Sequence, residues 1–284
     1  MKWQGRRVSD NVEDQRRFGG KQMAVGGGIG GIVIVLLVML LGGNPEEALQ
    51  TLPQTGVEIP AAVDQPLSEA EVQEGQFVGV ILAETEDVWN RIFREAGQIY
   101  REPRLVLFSN QISSACGYTG AAVGPFYCPT DEKVYIDLNY FAQMQTQLGA
   151  HGDFALAYVI AHEVGHHVQN LLGISEQVIS KQGRLSETEY NRLTVKMELQ
   201  ADFFAGVWAH YAERTAGLLE QGDIEEGMNA AAAVGDDRIM KQTQGYVVPD
   251  AFTHGTSEQR VRWFMKGYQT GDVSQGDTFN ATRL

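Results

Sequence analysis

A helix-period pattern of apolar residues runs from 153 to 172. Its apolar positions recur at spacings of three and four and would share one face of a helix. They are Phe154, Ala157, Tyr158, Ala161, Val164, Val168 and Leu171. Between 159 and 168 the only formal charge is on Glu163 and there is no proline, so the helix can be buried and unkinked. Asp153 is a candidate N-cap and Gly173 a candidate stop.

Further patterns along the chain predict an α+β fold, mostly helical, with a small β-sheet ahead of this helix. Short apolar runs read as strands, and an amphipathic stretch precedes them. The strands are predicted at 105–108 and 133–137, and the other helices at 77–96, at about 186–216, and near 223–243 and 257–269.

The segment 24–41 contains eighteen residues without a charge, near the minimum that crosses a bilayer. Residues 1–21 carry six Lys/Arg against three Asp/Glu, which predicts a cytoplasmic N-terminus. A cleaved signal peptide is disfavoured by the long basic region and the lack of an Ala-x-Ala-like site. A buried core helix is disfavoured by its place near the terminus. We therefore expect a single uncleaved transmembrane helix, with the remaining chain periplasmic or otherwise extracytoplasmic.

The flanks of this segment complete the expected domain organisation. Glycines within 26–31 have the small-xxx-small spacing that allows a homodimer through the transmembrane helix, although glycine is common in such anchors generally. Residues 42–76 hold four of the eight prolines and an acidic bias, which is typical of a linker. The expected order is a cytoplasmic basic segment (1–23), anchor (24–41), Pro-rich linker (42–76), catalytic domain (77–272) and C-terminal tail (273–284).

The helix predicted at 153–172 contains His162-Glu-Val-Gly-His166. Residues four apart lie about one turn from each other on one face, so both imidazoles can point at one metal ion. The Glu163 carboxylate can reach a water on that metal without binding the metal itself. Two neutral nitrogen ligands beside a base are what zinc-assisted amide hydrolysis requires. The alternative is a core helix with satisfied histidines, which would bury three polar side chains at a high cost.

A catalytic zinc site needs a third protein ligand. A metzincin would carry Gly at 169 and His at 172, whereas this chain has Gln169 and Leu172. Glu198 is the better candidate, and Asp202, four residues later, would accept the free ring N–H of a ligating histidine. A solvated Glu198 is the usual alternative, but its neighbours are mostly apolar. They are Met197, Leu199, Ala201, Phe203 and Phe204.

Together these motifs resemble the bacterial "putative neutral zinc metallopeptidase" family, which is similar to the gluzincins. The resemblance rests on His-Glu-Val-Gly-His-His-Val-Gln-Asn (162–170) and Glu-Leu-Gln-Ala-Asp-Phe-Phe-Ala-Gly (198–206). Three other stretches fit: the opening Met-Lys-Trp-Gln-Gly-Arg-Arg-Val-Ser, Gly-Pro-Phe-Tyr-Cys-Pro (124–129), and Thr-His-Gly-Thr-Ser-Glu-Gln-Arg (253–260). It implies a zincin-like fold, Zn²⁺ bound by His162, His166 and Glu198, and Glu163 as the catalytic base. It says little about the substrate.

Two further elements of the expected mechanism are drawn by analogy with related enzymes. His254 is the best candidate for stabilising the oxyanion, since related gluzincins place a His and an Arg after the third ligand. Arg260 is the corresponding candidate for orienting a carboxylate or the substrate. The alternative for both is a capping loop before the last helix. In zincins generally, a sheet edge covers the cleft, and 121–135 is the candidate segment to which an extended substrate could add as a strand.

The number of cysteines predicts a disulfide, and the net charge bears on the kind of partner that the protein binds. Cys116 and Cys128 are the two cysteines, and an even count outside the cytoplasm predicts one disulfide closing a short loop; two free buried thiols are the alternative. The net charge is −14, and setting aside the +3 of the first 23 residues leaves −17 on the remainder. That balance argues against a nucleic-acid partner and for a solvated surface.

The sequence therefore predicts a membrane-anchored zinc metallopeptidase that acts on a peptide or protein. The competing hypothesis is a membrane-tethered zinc protein that serves as a binding module or scaffold without turnover. The intact Glu163 disfavours this alternative, because a purely structural zinc site has no use for that carboxylate.

Overall fold

The elements that build the site are described by a computed structural model for residues 1–16, 67–109, 111–120, 124–139, 145–146 and 149–284. Within those residues the chain is mostly helical with a small sheet, so the predicted α+β class is confirmed. The helices are α1 (Glu69–Glu95), α2 (Asp153–Leu171), α3 (Ile174–Ile179), α4 (Glu187–Arg214), α5 (Asp223–Ala233), α6 (Asp236–Gln244) and α7 (Ser257–Thr270). The strands are β1 (Val12–Asp14), β2 (Arg104–Phe108), β3 (Gln111–Ser114), β4 (Gly117–Gly120), β5 (Phe126–Cys128) and β6 (Lys133–Asp137).

Four strands form one sheet in the order β1-β2-β6-β5. β1, β2 and β6 are parallel, whereas β5 runs antiparallel to β6 and forms an edge. Leu105 and Leu107 of β2 are fully buried and alternate with residues that pack on the opposite face of the sheet. This alternation places the helices on one face and a smaller apolar cluster on the other.

The N-terminal arm, residues 1–16, belongs to the same compact unit as Leu67–Leu284. Val12 of β1 pairs with Leu105 of β2, and the backbone N–H of Ser9 donates to Gly79 of α1 at 3.0 Å. The ring of Trp3 packs edge-on against Phe77, with centroids 5.5 Å apart. The unit is therefore larger at its N-terminal side than the 77–272 domain expected from the sequence.

The first helix, α1, begins eight residues before its predicted start. Ser68 is its N-cap: the Ser68 side chain accepts from the backbone of Glu71, whose carboxylate accepts from the Ser68 N–H at 2.7 Å. This capping box satisfies amides that would otherwise be unpaired at the helix start. The first turns of α1 are acidic and exposed, so apolar periodicity does not indicate where this helix begins.

Glycines allow elements of the helical core to approach one another closely. α4 and α7 meet where Gly206 and Gly267 face each other, because a Cβ at either position would lie 2.0 Å from a backbone oxygen of the other helix.

The predicted helix at 223–243 is two helices, α5 and α6, and Gly235 is the N-cap of the second. A side chain at Gly235 would meet the backbone of Ser257 at 2.4 Å. The glycine between α5 and α6 therefore leaves room for the start of α7.

A disulfide joins Cys116, at the turn of the β3–β4 hairpin, to Cys128 in β5, with Cα atoms 5.8 Å apart. The predicted disulfide is therefore confirmed, and the alternative of two free thiols is wrong. Through it, the hairpin is tied covalently to the edge strand of the main sheet.

The predicted membrane segment, 24–41, lies outside the described residues, as do its proposed dimer and the linker up to residue 66. Among the helices that are described, none combines the length and the apolar character needed to cross a bilayer. The tail after α7 packs along α4, where Lys196 donates to the carbonyl of Phe279 at 2.9 Å.

Candidate metal centre

Two neighbouring helices bring three candidate ligands together. α2 presents His162 and His166 on one face, and α4 presents Glu198 opposite them. His162 Nε2 lies 3.2 Å from Glu198 Oε2, and His166 Nε2 lies 3.4 Å from Glu198 Oε1. One ligand atom from each of the three lies within 4.8 Å of the others, so the group can hold a metal ion.

Gly165 sets the distance between these two helices. A Cβ at this position would lie 2.9 Å from the backbone oxygen of Ala201 in α4 and 3.1 Å from its Cα. Because backbone atoms of a packed helix cannot move aside cheaply, a side chain at Gly165 would push α4 away. The glycine inside the histidine motif therefore allows Glu198 to approach both imidazoles.

The orientation of the first imidazole is fixed by Asp202. His162 Nδ1 lies 2.8 Å from Asp202 Oδ1. Because a carboxylate only accepts, Nδ1 carries a proton, and Nε2 is the ring atom left to face Glu198 and bind a metal. The contact between Asp202 and the ring N–H of a histidine, which the sequence predicts, is therefore present.

The second imidazole is oriented by Gln169, which sequence reasoning used only to exclude the metzincins. His166 Nδ1 lies 2.8 Å from Gln169 Oε1. The amide nitrogen of Gln169 donates to the Met197 carbonyl at 2.7 Å and to Gln200 Oε1 at 3.0 Å. With the amide orientation fixed in this way, Nδ1 of His166 donates and Nε2 faces the ligand group. A buried glutamine three residues after a ligand was the available signal.

Arg260 and Tyr158 complete the surroundings of Asp202. Arg260 Nε donates to Asp202 Oδ2 at 2.8 Å, and the Tyr158 hydroxyl donates to Oδ1 at 2.5 Å. Burial alone would raise the pKa of the Asp202 carboxyl, but Arg260 and His162 lower it below its usual value. Asp202 therefore stays ionised and keeps its hydrogen bond to the imidazole of His162. Of the two roles expected for Arg260, the structure supports the orientation of a carboxylate.

Glu163 lines the same cleft as the candidate ligands and is 7% exposed. Burial raises the pKa of its carboxyl, an effect that His166 and His162 partly offset. A carboxyl with a raised pKa exchanges protons more readily near neutral pH than an exposed one. Its position one residue after His162 places it beside the ligands without joining them.

His254 also lines the cleft, at the start of the loop that leads into α7. The Asp236 carboxylate holds the backbone of this loop, since Oδ2 accepts the N–H groups of Thr253, His254 and Gly255 at 2.6–2.9 Å. Asp236 Oδ1 lies 3.2 Å from His254 Nδ1 and raises the pKa of this histidine. Sequence reasoning missed Asp236, because eighteen residues separate it from its partner.

The cleft has a volume of about 410 Å³. One wall is formed by the segment that contains β5, including Phe126 and Tyr127. The candidate edge predicted at 121–135 thus includes the observed edge strand, although 121–123 lie outside the described residues. Helices and the segments that follow or precede them form the other walls, which carry several apolar side chains, namely Val159, Ile179, Met197 and Val234.

A second acidic group lies at the start of α2, away from the histidines. Asp153, Asp223 and Glu226 lie close enough to one another to hold a cation. The α-amino group of Met1 is 3.1 Å from Asp153 and 3.6 Å from Asp223. This ammonium provides the positive charge for these carboxylates.

Comparison with known proteins agrees with the geometry of the site. The family model described as "Putative neutral zinc metallopeptidase" matches residues 1–279. The protein called "Uncharacterized protein YpfJ" of Escherichia coli (strain K12) is 47% identical over 284 residues, covering 98% of this chain and 99% of the relative. An uncharacterized protein of Mycobacterium tuberculosis (strain ATCC 25618 / H37Rv) is 46% identical over 195 residues, 65% of each chain. No solved structure matches the chain.

Proposed function

Because the chain belongs to the family described as "Putative neutral zinc metallopeptidase", we propose that it hydrolyses peptide bonds with a zinc ion held by His162, His166 and Glu198. In this proposal Glu163 is the general base. The observation that carries it is the convergence of three ligand atoms, from two helices, in a cleft that also contains an unligated buried carboxylate.

The donor set fits zinc. Two imidazoles whose Nε2 atoms face one carboxylate are, together with that carboxylate, a ligand combination of catalytic zinc sites, which leave one position for water. The hydrogen bonds to Asp202 and Gln169 keep both rings in the tautomer that a metal needs. An oxygen-only ion such as Ca²⁺ would not use this arrangement.

Zinc in such a site acts as a Lewis acid, polarising a carbonyl and lowering the pKa of a bound water. Glu163 takes the proton from the attacking water and delivers it to the leaving amine. Its burial supports this role, since a raised pKa helps a carboxylate to accept and return a proton near neutral pH.

His254 is proposed to stabilise the oxyanion. The raised pKa of His254 favours the imidazolium form, which can donate from Nε2 toward the cleft while Nδ1 faces Asp236. Asp236 fixes both the loop and the ring, so the donor would be oriented before the substrate arrives.

The substrate is proposed to bind as an extended strand along β5. Within the described residues, β5 pairs with β6 on one side and lines the cleft on the other. An extended peptide can satisfy the free backbone groups of such an edge. This favours unfolded or loosely structured segments as substrates.

Membrane attachment through 24–41 remains part of the proposal, as does an extracytoplasmic catalytic domain. The charge-free run supports the first, and the Cys116–Cys128 disulfide supports the second. The cytoplasmic location proposed for the N-terminus conflicts with an extracytoplasmic domain as long as the arm is docked, because residues 1–16 then pack on that domain.

The decisive experiment replaces Glu163 with glutamine in the full-length chain. We expect Glu163→Gln to keep its zinc, measured by atomic absorption, and to cleave fluorescein-labelled casein at least about 100-fold more slowly. Glu176→Gln changes an exposed carboxylate on α3 and serves as the control. Equal cleavage by all three proteins would overturn the proposal. Bound zinc without cleavage by the native chain would instead favour a binding or scaffold protein.

A further inference from the structure

The edge strand β5 is held by two consecutive residues that point in opposite directions. Cys128 packs in the small cluster on one face of the sheet and carries the disulfide to Cys116. Tyr127 points to the other face, where it packs against the main core beside α2. Side chains of a strand alternate in this way, so the two attachments oppose each other across the strand.

The attachment through Tyr127 is a directed chain of hydrogen bonds. His167 Nε2 lies 2.5 Å from the carbonyl oxygen of Arg101. A carbonyl only accepts, so Nε2 carries the proton and Nδ1 is left as an acceptor. The Tyr127 hydroxyl, 2.9 Å from Nδ1, therefore donates to it. Asn170 completes the chain by donating to the Tyr127 oxygen at 3.1 Å.

Both partners of Tyr127 belong to the helix that carries the histidine ligands. His167 is fully buried and follows His166 directly, and Asn170 lies four residues after His166. The hydroxyl of Tyr127 thus joins the edge strand to the helix beneath the cleft, and the ring of Tyr127 itself lines that cleft. The other attachments of this three-residue strand are its pairing with β6, the stacking of Phe126 on Tyr135 and the disulfide, none of which reaches α2.

We propose that Tyr127, His167 and Asn170 form a clamp that sets the height and register of β5 over the histidine-bearing helix, which makes Tyr127 a positioning residue for the substrate backbone. The inference rests on the proposed peptidase function. It assigns the hydroxyl of Tyr127 to substrate alignment along β5 and not to the chemical step.

The clamp is tested with Tyr127→Phe in the full-length chain, which removes only the hydroxyl. We expect KM for an internally quenched peptide to rise about 3- to 10-fold, the range of one neutral hydrogen bond, with kcat within twofold of the native value. Tyr135→Phe is the control. It removes a hydroxyl that donates to Asp131 on the opposite face of the sheet, and it should leave both constants unchanged.

Two outcomes overturn the clamp. A fall in kcat at constant KM would assign the hydroxyl to the transition state, and unchanged constants with equal loss of Tm in both variants would reduce it to a packing role. Should Tyr127→Phe fail to fold by circular dichroism, Asn170→Ala keeps the hydroxyl and should raise KM in the same direction by a smaller factor.

A binding readout separates this inference from the proposed function. In the Glu163→Gln background, adding Tyr127→Phe should weaken binding of the labelled peptide, followed by fluorescence anisotropy, by the same factor. Weakened binding without hydrolysis by the native chain would retain the clamp and reject the peptidase. A peptide that does not bind the native cleft would remove β5 as the substrate edge and reject the clamp.

Discussion

At Asp202, four hydrogen bonds converge on one fully buried carboxylate: two from Arg260 and one each from Tyr158 and His162. The position of the imidazole thus depends on a residue of α7, Arg260, whose guanidinium also lies 3.4 Å from His162 Nδ1. Although burial opposes it, the charged carboxylate of Asp202 raises the pKa of His162 to about 10 and holds a proton on Nδ1.

Replacing Asp202 by asparagine should therefore weaken metal binding and the fold together. Loss of the negative charge leaves the buried Arg260 guanidinium without its ion-pair partner, which costs about 3–5 kcal/mol. It also leaves one amide oxygen to accept the hydrogen bonds that two carboxylate oxygens accept from Arg260, Tyr158 and His162. We expect zinc affinity to fall about 10- to 100-fold, measured by competition with a chelator. Glu187→Gln, at the exposed first turn of α4, is the control and should change neither quantity. Unaltered zinc affinity in Asp202→Asn would show that the ring needs no such support.

At the same scale, the residues of the two helical motifs could be predicted from their spacing, whereas partners outside those motifs could not. His162 and His166, or Glu198 and Asp202, are recognisable because helix geometry puts residues four apart on one face. Asp236 with His254, and Tyr127 with His167, are brought together only by tertiary structure. A single sequence carries no signal for these partners beyond a polar residue in an apolar setting.

Among the elements, α2 and α4 determine the site through one close approach. The ligand group forms only because Gly165 lets the backbone of α4 come near. The sequence predicts both helices well, since each is long and strongly periodic. It does not predict their separation, which depends on which small residue faces which backbone atom.

Gly165→Ala tests this dependence. Its Cβ would meet the Ala201 backbone at 2.9 Å, and overpacking of this kind costs about 1–3 kcal/mol. We expect a corresponding loss in the free energy of urea unfolding, together with weaker zinc binding, because Glu198 moves with α4. Leu172→Ala shortens a partly exposed side chain at the end of the same helix and serves as the comparison. Zinc affinity equal to that of the native chain would mean that α4 can shift without moving its ligand.

Short elements account for most differences between prediction and structure at this scale. β1 and β5 have three residues each and β3 and β4 have four, while α3 has six. Runs of this length show too few repeats to reveal a period. β1 in particular follows the polar sequence Ser-Asp-Asn and is stabilised by its pairing with β2 and not by its own composition.

At the scale of the whole molecule, the basic side chains of residues 1–16 form ion pairs within the folded unit. Arg6 pairs with Glu84 at 2.8 Å, and Arg7 pairs with Glu86 at 2.9 Å. The sequence suggests that these positive charges retain the arm in the cytoplasm. In the structure they bind acidic residues of α1, so their presence has an explanation that involves no membrane.

This packing predicts that the arm and the catalytic domain lie on the same side of any membrane. In separate full-length variants, Asp10→Cys and Ile99→Cys would place a thiol at an exposed position of the arm and of the domain. Both native cysteines are in the disulfide and give no background. We expect a membrane-impermeant maleimide to label both variants, or neither, in intact spheroplasts. Labelling of only one before lysis would mean that the arm is undocked in the cell.

The pairing of β1 with β2 also orders events during synthesis. Residues 12–14 leave the ribosome about ninety residues before their partners at 105–107, and Lys2 donates to the carbonyl of Leu218, more than two hundred residues later. The chain entropy lost in closing loops of this length slows such contacts. Residues 1–16 therefore complete their docking only after residue 218 has been made, and the nascent arm is open to proteases and chaperones until then.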